Sequence, residues 1–558
     1  MKKLITNTIP YLLMVLLLQI SSLTAISQEI NKEVYVVRPY EPTLSDASKY
    51  NFMPETDDIS TELPSFKYSV TPKKLENSFV PEPIKPAKTS ATSLPKIYKS
   101  WIKLGLGNYS TPLAEFNISN LRSRDVAYGA YLYHKSSLGN VKLLNDEKVS
   151  AKYGDNTVNL YGKKFLEDAT VSGNLLFDHR GYNYYGYNTE LFNDSVPLIH
   201  EDSLRQNTYR AGFDIGINSD YTDSAHLNYK VKAHYDYFWD NFSSKENNFR
   251  VDAGVNKNFN GLQAGLDVSV DHTSLTATSD SIKNTVVSVK PWISKRNRDW
   301  MFMLGLEAVA DNADISHFYL YPHASLDIII IENVLVPFLG FSGELEKNTY
   351  SNLLSENPYI IPGLYLKNAS SNLIVTGGLK GSITPSVHFR ADVTYRVVKD
   401  MHFFVNDTLN DLQNQFTGVY DDVDQVTYHG QVTVEPSATW RFMIDARYNR
   451  YHVFEQIKPW HKPEYEIDLD VAARLGSKIT MATTFTVIGT RWVPGFDPTV
   501  EKQKLKPVAD INFRFNYNYS KAFNLFADLY NVAGRSYLLW NYYPSQRFNF
   551  MFGFSYKL

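Results

Sequence analysis

The chain has 558 residues, 43 % hydrophobic and 14 % aromatic, with 56 basic and 59 acidic side chains and a net charge of −3. A balance so close to neutral leaves no electrostatic footprint for nucleic acid. With no cysteine, disulfides, thiolate metal sites and lipid attachment through an N-terminal cysteine are excluded.

The N-terminus reads as a secretory signal. Lys2 and Lys3 precede an apolar core around Tyr11–Leu18, and Ala25-Ile26-Ser27 supplies a small-x-small site. Residues 1–27 are therefore expected to be removed. No later segment reaches the roughly 18 consecutive apolar residues that a membrane helix needs.

Residues 28–98 read as a tail. Pro39, Pro42, Pro54, Pro64, Pro72, Pro81, Pro83, Pro86 and Pro95 interrupt any helix or sheet ladder there. One β-prone run, Val34-Tyr35-Val36-Val37, lies just inside the expected mature start. It suits strand addition to the sheet edge of a periplasmic partner.

From residue 99 to 558 the texture is two-residue alternation, the signature of strands. Leu227, Tyr229, Val231, Ala233 and Tyr235 alternate with Asn228, Lys230, Lys232 and His234. Val387, Phe389, Ala391 and Val393 alternate with His388, Arg390 and Asp392. The pattern recurs in Phe442, Ile444, Ala446, Tyr448; in Tyr465, Ile467, Leu469, Val471; and in Ile511, Phe513, Phe515, Tyr517. In the last strand Phe548, Phe550, Phe552, Phe554, Tyr556 and Leu558 share one face, and the sequence offers no helix to cover it. Lipid covers such a face most cheaply, provided the strands close into a barrel with no free edge.

The connections alternate too. Short turns are expected at Arg122–Arg124, Glu167–Asp168, Tyr221–Asp223, Asn260, Asn297–Arg298, Glu332–Asn333, Pro385, Pro436–Ser437, Gly476–Ser477 and Lys521. Longer ones fall between, notably Gly181–Arg205, Lys347–Ser370, Asp400–Thr427, Arg491–Lys504 and Val532–Gln546. Outer-membrane barrels have short periplasmic turns and long external loops. The fold expected is all-β, a transmembrane antiparallel β-barrel of about 22 strands with both termini periplasmic.

The end of the chain carries a resemblance. Phe523-Asn524-Leu525-Phe526-Ala527-Asp528-Leu529-Tyr530-Asn531-Val532 is followed by Gly534-Arg535-Ser536-Tyr537, Trp540-Asn541-Tyr542-Tyr543-Pro544, Arg547, Phe550, Gly553, Ser555 and Tyr556. This resembles the C-terminal end of TonB-dependent receptors. The resemblance implies a 22-stranded barrel in the bacterial outer membrane and a role in transport. It also implies a folded plug domain before the barrel, for which residues 28–98 are too short and too proline-rich. The position of Val34–Val37 resembles that of the TonB box in that family. Leu558 stands where outer-membrane proteins more often end in Phe.

Motifs for catalysis are absent, and the sequence implies no enzyme, cofactor or metal. His452 and His461 lie near Trp460 and Glu464 without metal-ligand spacing, and Asp407, Asp411, Asp421, Asp422 and Asp424 read as a solvated acidic loop. Trp239, Trp292, Trp300, Trp440, Trp492 and Trp540 are expected in interfacial girdles. Tyr182, Tyr184, Tyr185 and Tyr187 form an aromatic loop cluster that could contact an external ligand by stacking. Inward charges of both signs suit a lumen cross-linked by ion pairs or filled by polypeptide, and three fillers suggest themselves: the tail, the long loops, or another protein. Three roles compete: transport, a structural subunit of a larger outer-membrane assembly with a periplasmic or outer-membrane protein partner, and a passive channel.

Overall fold

The computed structural model describes residues 97–558 except 121–122, 193–203, 220, 222–225, 278–280, 314 and 496–500. The signal, the proline-rich tail and Val34–Val37 lie outside the described residues.

Twenty-two strands form one antiparallel sheet closed on itself. The first eleven are β1 (Ser100–Gly107), β2 (Thr111–Ser119), β3 (Val126–Ser137), β4 (Tyr153–Phe165), β5 (Ala169–Asn183), β6 (Arg205–Ser219), β7 (Asn228–Asp240), β8 (Lys245–Phe259), β9 (Leu262–Thr276), β10 (Ser281–Arg296) and β11 (Trp300–Asn312). The second eleven are β12 (Ser316–Ile328), β13 (Val336–Glu346), β14 (Ala369–Thr384), β15 (Val387–Asn406), β16 (Phe416–Ser437), β17 (Trp440–Val453), β18 (Tyr465–Leu475), β19 (Ile479–Ile488), β20 (Val508–Asn518), β21 (Phe523–Tyr530) and β22 (Asn549–Lys557). β22 pairs with β1, Tyr556 opposite Ile102 and Phe552 opposite Leu106.

The register carries one apolar face round the barrel, because directly paired residues share a face. Ile102 faces Phe116, which faces Leu132, then Val158, Phe177 and Ala211. Far round the barrel, Phe389, Val432, Ile444 and Leu469 form the same kind of row. These side chains stay open outward: Leu106 and Phe318 are each 71 % exposed. An exposed apolar belt that encircles the molecule has lipid as its natural solvent.

The seam is closed from inside. Gly105 and Gly553 are direct partners across β1 and β22, and the buried Phe526 ring lies over them. A Cβ on Gly553 would fall 2.1 Å from the Leu104 carbonyl oxygen and 2.4 Å from the Phe526 ring. Only glycine allows that approach.

Both ends of the barrel sequence, Ser100 and Lys557, sit at the rim with the short turns. The expected turns appear there, the described parts of Arg122–Arg124 and Tyr221–Asp223 included. One is displaced: Pro436 and Ser437 end β16, where a register shift accommodates them, and the turn itself is 438–439. Proline cannot donate to the ladder, which favours the irregularity over a clean strand end. A larger correction concerns Asp400–Thr427. Most of it is strand, since β15 and β16 run on for 20 and 22 residues and leave only 407–415 as loop. A bulge between Val398 and Met401, with Asp400 at φ 53°, lets the hairpin continue past the belt.

Candidate functional site: a loop-built cap over a charged lumen

The inner face of the wall is polar and ion-paired. Lys103 meets Glu115 at 3.1 Å, Lys232 meets Asp214 at 3.0 Å and Lys380 meets Asp327 at 2.7 Å. His429 bridges Asp392 and Asp445 at 3.1 Å each, and Arg390 closes on Asp392 at 2.6 Å. Both signs recur round the lumen, as the inward charges read from sequence imply.

At the long-loop rim the loops turn inward and pack on one another. Their core comprises Phe238, Leu275, Tyr350, Leu353, Leu354, Ile360, Leu364, Phe404, Phe416 and Tyr543, all buried. Its centre is the short helix α1 (Tyr350–Glu356) in the loop after β13. Thr349 caps the helix, its hydroxyl accepting from the Asn352 amide at 3.2 Å. The fully buried Glu246 carboxylate, at the start of β8, accepts from the Tyr350 amide at 2.7 Å and the Ser351 hydroxyl at 2.6 Å. A carboxylate there satisfies helix N–H groups that have no intrahelical partner. Asp240 accepts from the Tyr350 hydroxyl at 3.0 Å.

The far end of α1 is held equally firmly. Glu356 lies 2.7 Å from His402 Nε2 and 3.0 Å from Lys462 Nζ. Burial works to raise the Glu356 carboxyl, but those two partners outweigh it and hold it at about 2. The helix is thus tied to β7 and β8 at one end, and to β15 and the loop after β17 at the other.

Other bonds join the loops to each other. The Phe416 amide donates to the Tyr359 carbonyl and the Ile361 amide to the Phe416 carbonyl, both at 2.9 Å. The Asn414 side chain donates to the Tyr184 carbonyl at 3.1 Å and Asn541 to Asn406 at 2.7 Å. Tyr359 stacks on Tyr543 with ring centroids 3.5 Å apart. Of the three fillers read from sequence, the structure shows the loops covering this end.

Of the four aromatic residues expected in one loop, Tyr182 belongs to the end of β5, and Tyr184, Tyr185 and Tyr187 follow it in the loop. Tyr184 donates to the Ile360 carbonyl at 3.2 Å and Tyr185 to the Pro544 carbonyl at 2.9 Å. Tyr182 meets Tyr184 and Tyr359 edge-on. Tyr187 is buried and donates to Glu147. Their rings are taken up chiefly by packing inside the cap, whereas an outward platform would leave them open. Burial pushes the Tyr359 hydroxyl up to about 12, and those of Tyr184, Tyr185 and Tyr543 upward as well, and the last three donate to backbone carbonyls.

The histidines read as scattered separate in the same way. His461 is buried against Phe416 and Trp540 and shares a 2.9 Å bond between Nδ1 and the Phe404 carbonyl. Burial drives it down to about 3, with Arg491 and Lys462 adding and the Phe404 carbonyl opposing. His452 packs on Phe454. Among the described residues no group of three His, Asp or Glu is placed to hold a metal ion. In the acidic stretch, Asp421 is buried and accepts from the amides of Phe454, Glu455 and Gln456 at 2.8–3.0 Å, a structural anchor that reading by composition misses.

Of the six tryptophans expected in girdles, Trp239, Trp300 and Trp440 face outward near strand ends, stacked on Tyr209, Phe302 and Phe442. Trp292 is a correction. Its register partners Gly265 and Gly305 lie on the inner face, and its indole covers Gly265. Trp540 belongs to the cap and Trp492 pairs with Trp460 in the loops.

No protein-family model and no curated protein sequence matches the chain. Solved structures do. The FrpB iron transporter from Neisseria meningitidis, F3-3 variant, superposes with a TM-score of 0.66 at 8 % identity over 83 % of this chain and 82 % of its own. The siderophore receptor PirA from Acinetobacter baumannii gives 0.62 at 12 %, over 83 % and 81 %. The outer membrane receptor FpvA from Pseudomonas aeruginosa PAO1, bound to pyoverdine, gives 0.62 at 11 %, over 83 % and 79 %. At such identities the likeness is one of fold. The barrel has the fold of these transporters and receptors, the fold expected from the resemblance at the last two strands and their loop.

Proposed function

We propose that the chain spans the bacterial outer membrane with its short turns periplasmic and its loops external, and that it transports a solute, with no enzymatic role. In this reading it is a plug-less relative of TonB-dependent receptors whose own loops take over occlusion. One observation carries the proposal. An ion-paired lumen is covered at one end by a cap whose central helix packs in an apolar core and is tied to the wall by Glu246 and Asp240 at one end and by Glu356 with His402 at the other. A barrel that served only as surface for an assembly would have no need of a lumen so polar or a cover so local.

Planar-bilayer recording tests it. The native chain is expected to be silent, and Glu246→Gln combined with Glu356→Gln is expected to open it, by freeing both ends of α1. Steady conductance in the unmodified chain would instead make it a passive channel. Silence in the double variant, with folding intact, would leave the structural-subunit reading.

The tail enters the proposal on sequence alone. Residues 1–27 act as signal peptide and 28–98 as a periplasmic tail, in which Val34, Tyr35, Val36 and Val37 add as a strand to a periplasmic partner. Val36→Pro should abolish capture of that partner from native envelopes without altering conductance. Retained capture would discard this role.

A further inference from the structure

The inner face of the wall changes sign along the barrel axis. Over the last four residues of each strand at the short-turn end, that face carries eight cations and two carboxylates, Asp327 and Glu435. Three of the cations, Lys103, Arg390 and Arg441, are ion-paired to Glu115, Asp392 and Glu435, and Asp327 is taken by Lys380. The other five, Lys163, Lys230, Arg296, Arg474 and Lys557, have no ion-pair partner among the described residues. Register sets their facing. Lys163 pairs with Ser172, Ser172 with Gly216 and Gly216 with Lys232, so Lys163 shares the lumenal face of Lys232. At the cap end the balance reverses: the same span there includes Asp155, Asp240, Glu246, Asp311, Asp510 and Asp528, against Lys135 and Arg180. The described short turns carry both signs in near balance, so the excess at the mouth belongs to the inner face.

Part of this mouth is a recess of about 210 Å³ on the inner wall, lined by Lys163, Lys230 and Lys232. One carboxylate lines it, Asp214, which Lys232 and His234 hold at 3.0 and 2.9 Å. Lys163 and Lys230 are left to an incoming anion. The five free cations lie on β4, β7, β10, β18 and β22, spread round the mouth, so no single small anion spans them. They face the lumen, where lipid headgroups do not reach. An extended polypeptide advances about 3.3 Å per residue, so one carrying carboxylates at intervals meets several of them. Deeper in, the acidic face repels it, and the cap covers the far end, so such a segment stays at the mouth. We infer that the short-turn mouth of the lumen docks an acidic polypeptide segment of a partner protein, with Lys163 and Lys230 taking its carboxylates. That the partner is periplasmic rests on the proposed function; the docking itself does not.

The test reads binding by the full chain in detergent. A short fluorescent peptide of alternating Glu and Ser is titrated by anisotropy, with a Gln/Ser peptide of equal length and free glutamate as controls. The acidic peptide is expected to bind, more weakly as salt rises, and the Gln/Ser peptide is not. Lys163→Glu combined with Lys230→Glu is expected to weaken binding about tenfold or more. Lys142→Glu combined with Lys148→Glu makes an equal change of net charge in the loop after β3 and is expected to leave binding unchanged. Heat-modifiable gel migration verifies that the variants fold. The docking surface is wrong if the acidic peptide fails to bind at low salt, if the Gln/Ser peptide binds equally, or if both double variants lose the same affinity. Competition by free glutamate at the peptide's own concentration would also overturn it, in favour of a small-anion site. None of these outcomes bears on the conductance of the opened barrel, so the docking surface and the transport role fail separately.

Discussion

The wall and the cap solve opposite problems with the same chain. The wall turns its apolar side chains outward and its charges inward, and strand pairing fixes both. The cap turns Phe404, Phe416, Ile360 and Tyr543 inward like a small soluble domain, although it has little regular structure to organise them. In lipid the backbone must be satisfied by the ladder, which enforces a strict period. Above the lipid, water satisfies what packing leaves over, and no period is imposed.

The largest effect should come from the cap core. Phe416→Ala removes a fully buried ring and should cost about 3–5 kcal/mol of cap stability. Limited proteolysis of the loops would register it, while heat-modifiable migration of the barrel should not change. A barrel that failed together with the cap would show that the two regions are one cooperative unit.

Next come outward charges in the wall. Phe515→Arg and Leu469→Arg should each cost roughly 2–4 kcal/mol near the midplane, measured by urea unfolding in vesicles. Asn516→Arg on the inner face should be tolerated. Equal damage from all three would erase the inside-out distinction.

Acid should then separate the regions. The folded value of His461, about 3, lies below its unfolded value, so the unfolded cap binds more protons between them. Cap stability should hold at neutral pH and fall as pH drops from about 6.5 towards 3, by on the order of 2 kcal/mol at pH 5. Glu356 acts lower, keeping its contribution above its unfolded value of about 4.3 and losing it as pH falls towards 2. Following loop protection by hydrogen exchange against pH, His461→Phe should flatten the upper limb and leave the lower one. The smallest effect is expected from Lys142→Gln, which breaks an exposed pair with Asp146 in the loop after β3 and should shift stability by at most about 0.5 kcal/mol.

These differences explain what was legible in the sequence. Alternation identified the wall, its facing and its turns, because a period of two leaves little freedom once one side must meet lipid. The cap has no such signature. Tyr350, Phe416 and Tyr543 meet from two separate loops and the start of β16, and nothing in their spacing foretells it. Tyr182 to Tyr187 looked like a ligand platform because aromatic loop clusters bind ligands and fill cores with equal ease. Trp292 shows the limit of composition even within the wall, since its inward facing follows from β-register and not from residue type.

The unequal strands carry a consequence for the bilayer itself. β1 and β21 have 8 residues each and β22 has 9, whereas β15 and β16 have 20 and 22. At about 3.3 Å per residue and a tilt near 40°, the short strands rise roughly 20 Å and the longest about 55 Å. A hydrocarbon layer of about 30 Å exceeds the first and falls well short of the second. Lipid beside the seam must thin to meet it, and thinning costs fractions of a kcal/mol per Å of mismatch. The protein therefore carries its own membrane defect, fixed in direction beside the seam, while the flank of β15 and β16, less than a third of the way round the wall, stands clear of the leaflet and is the first part reached by anything arriving on that side.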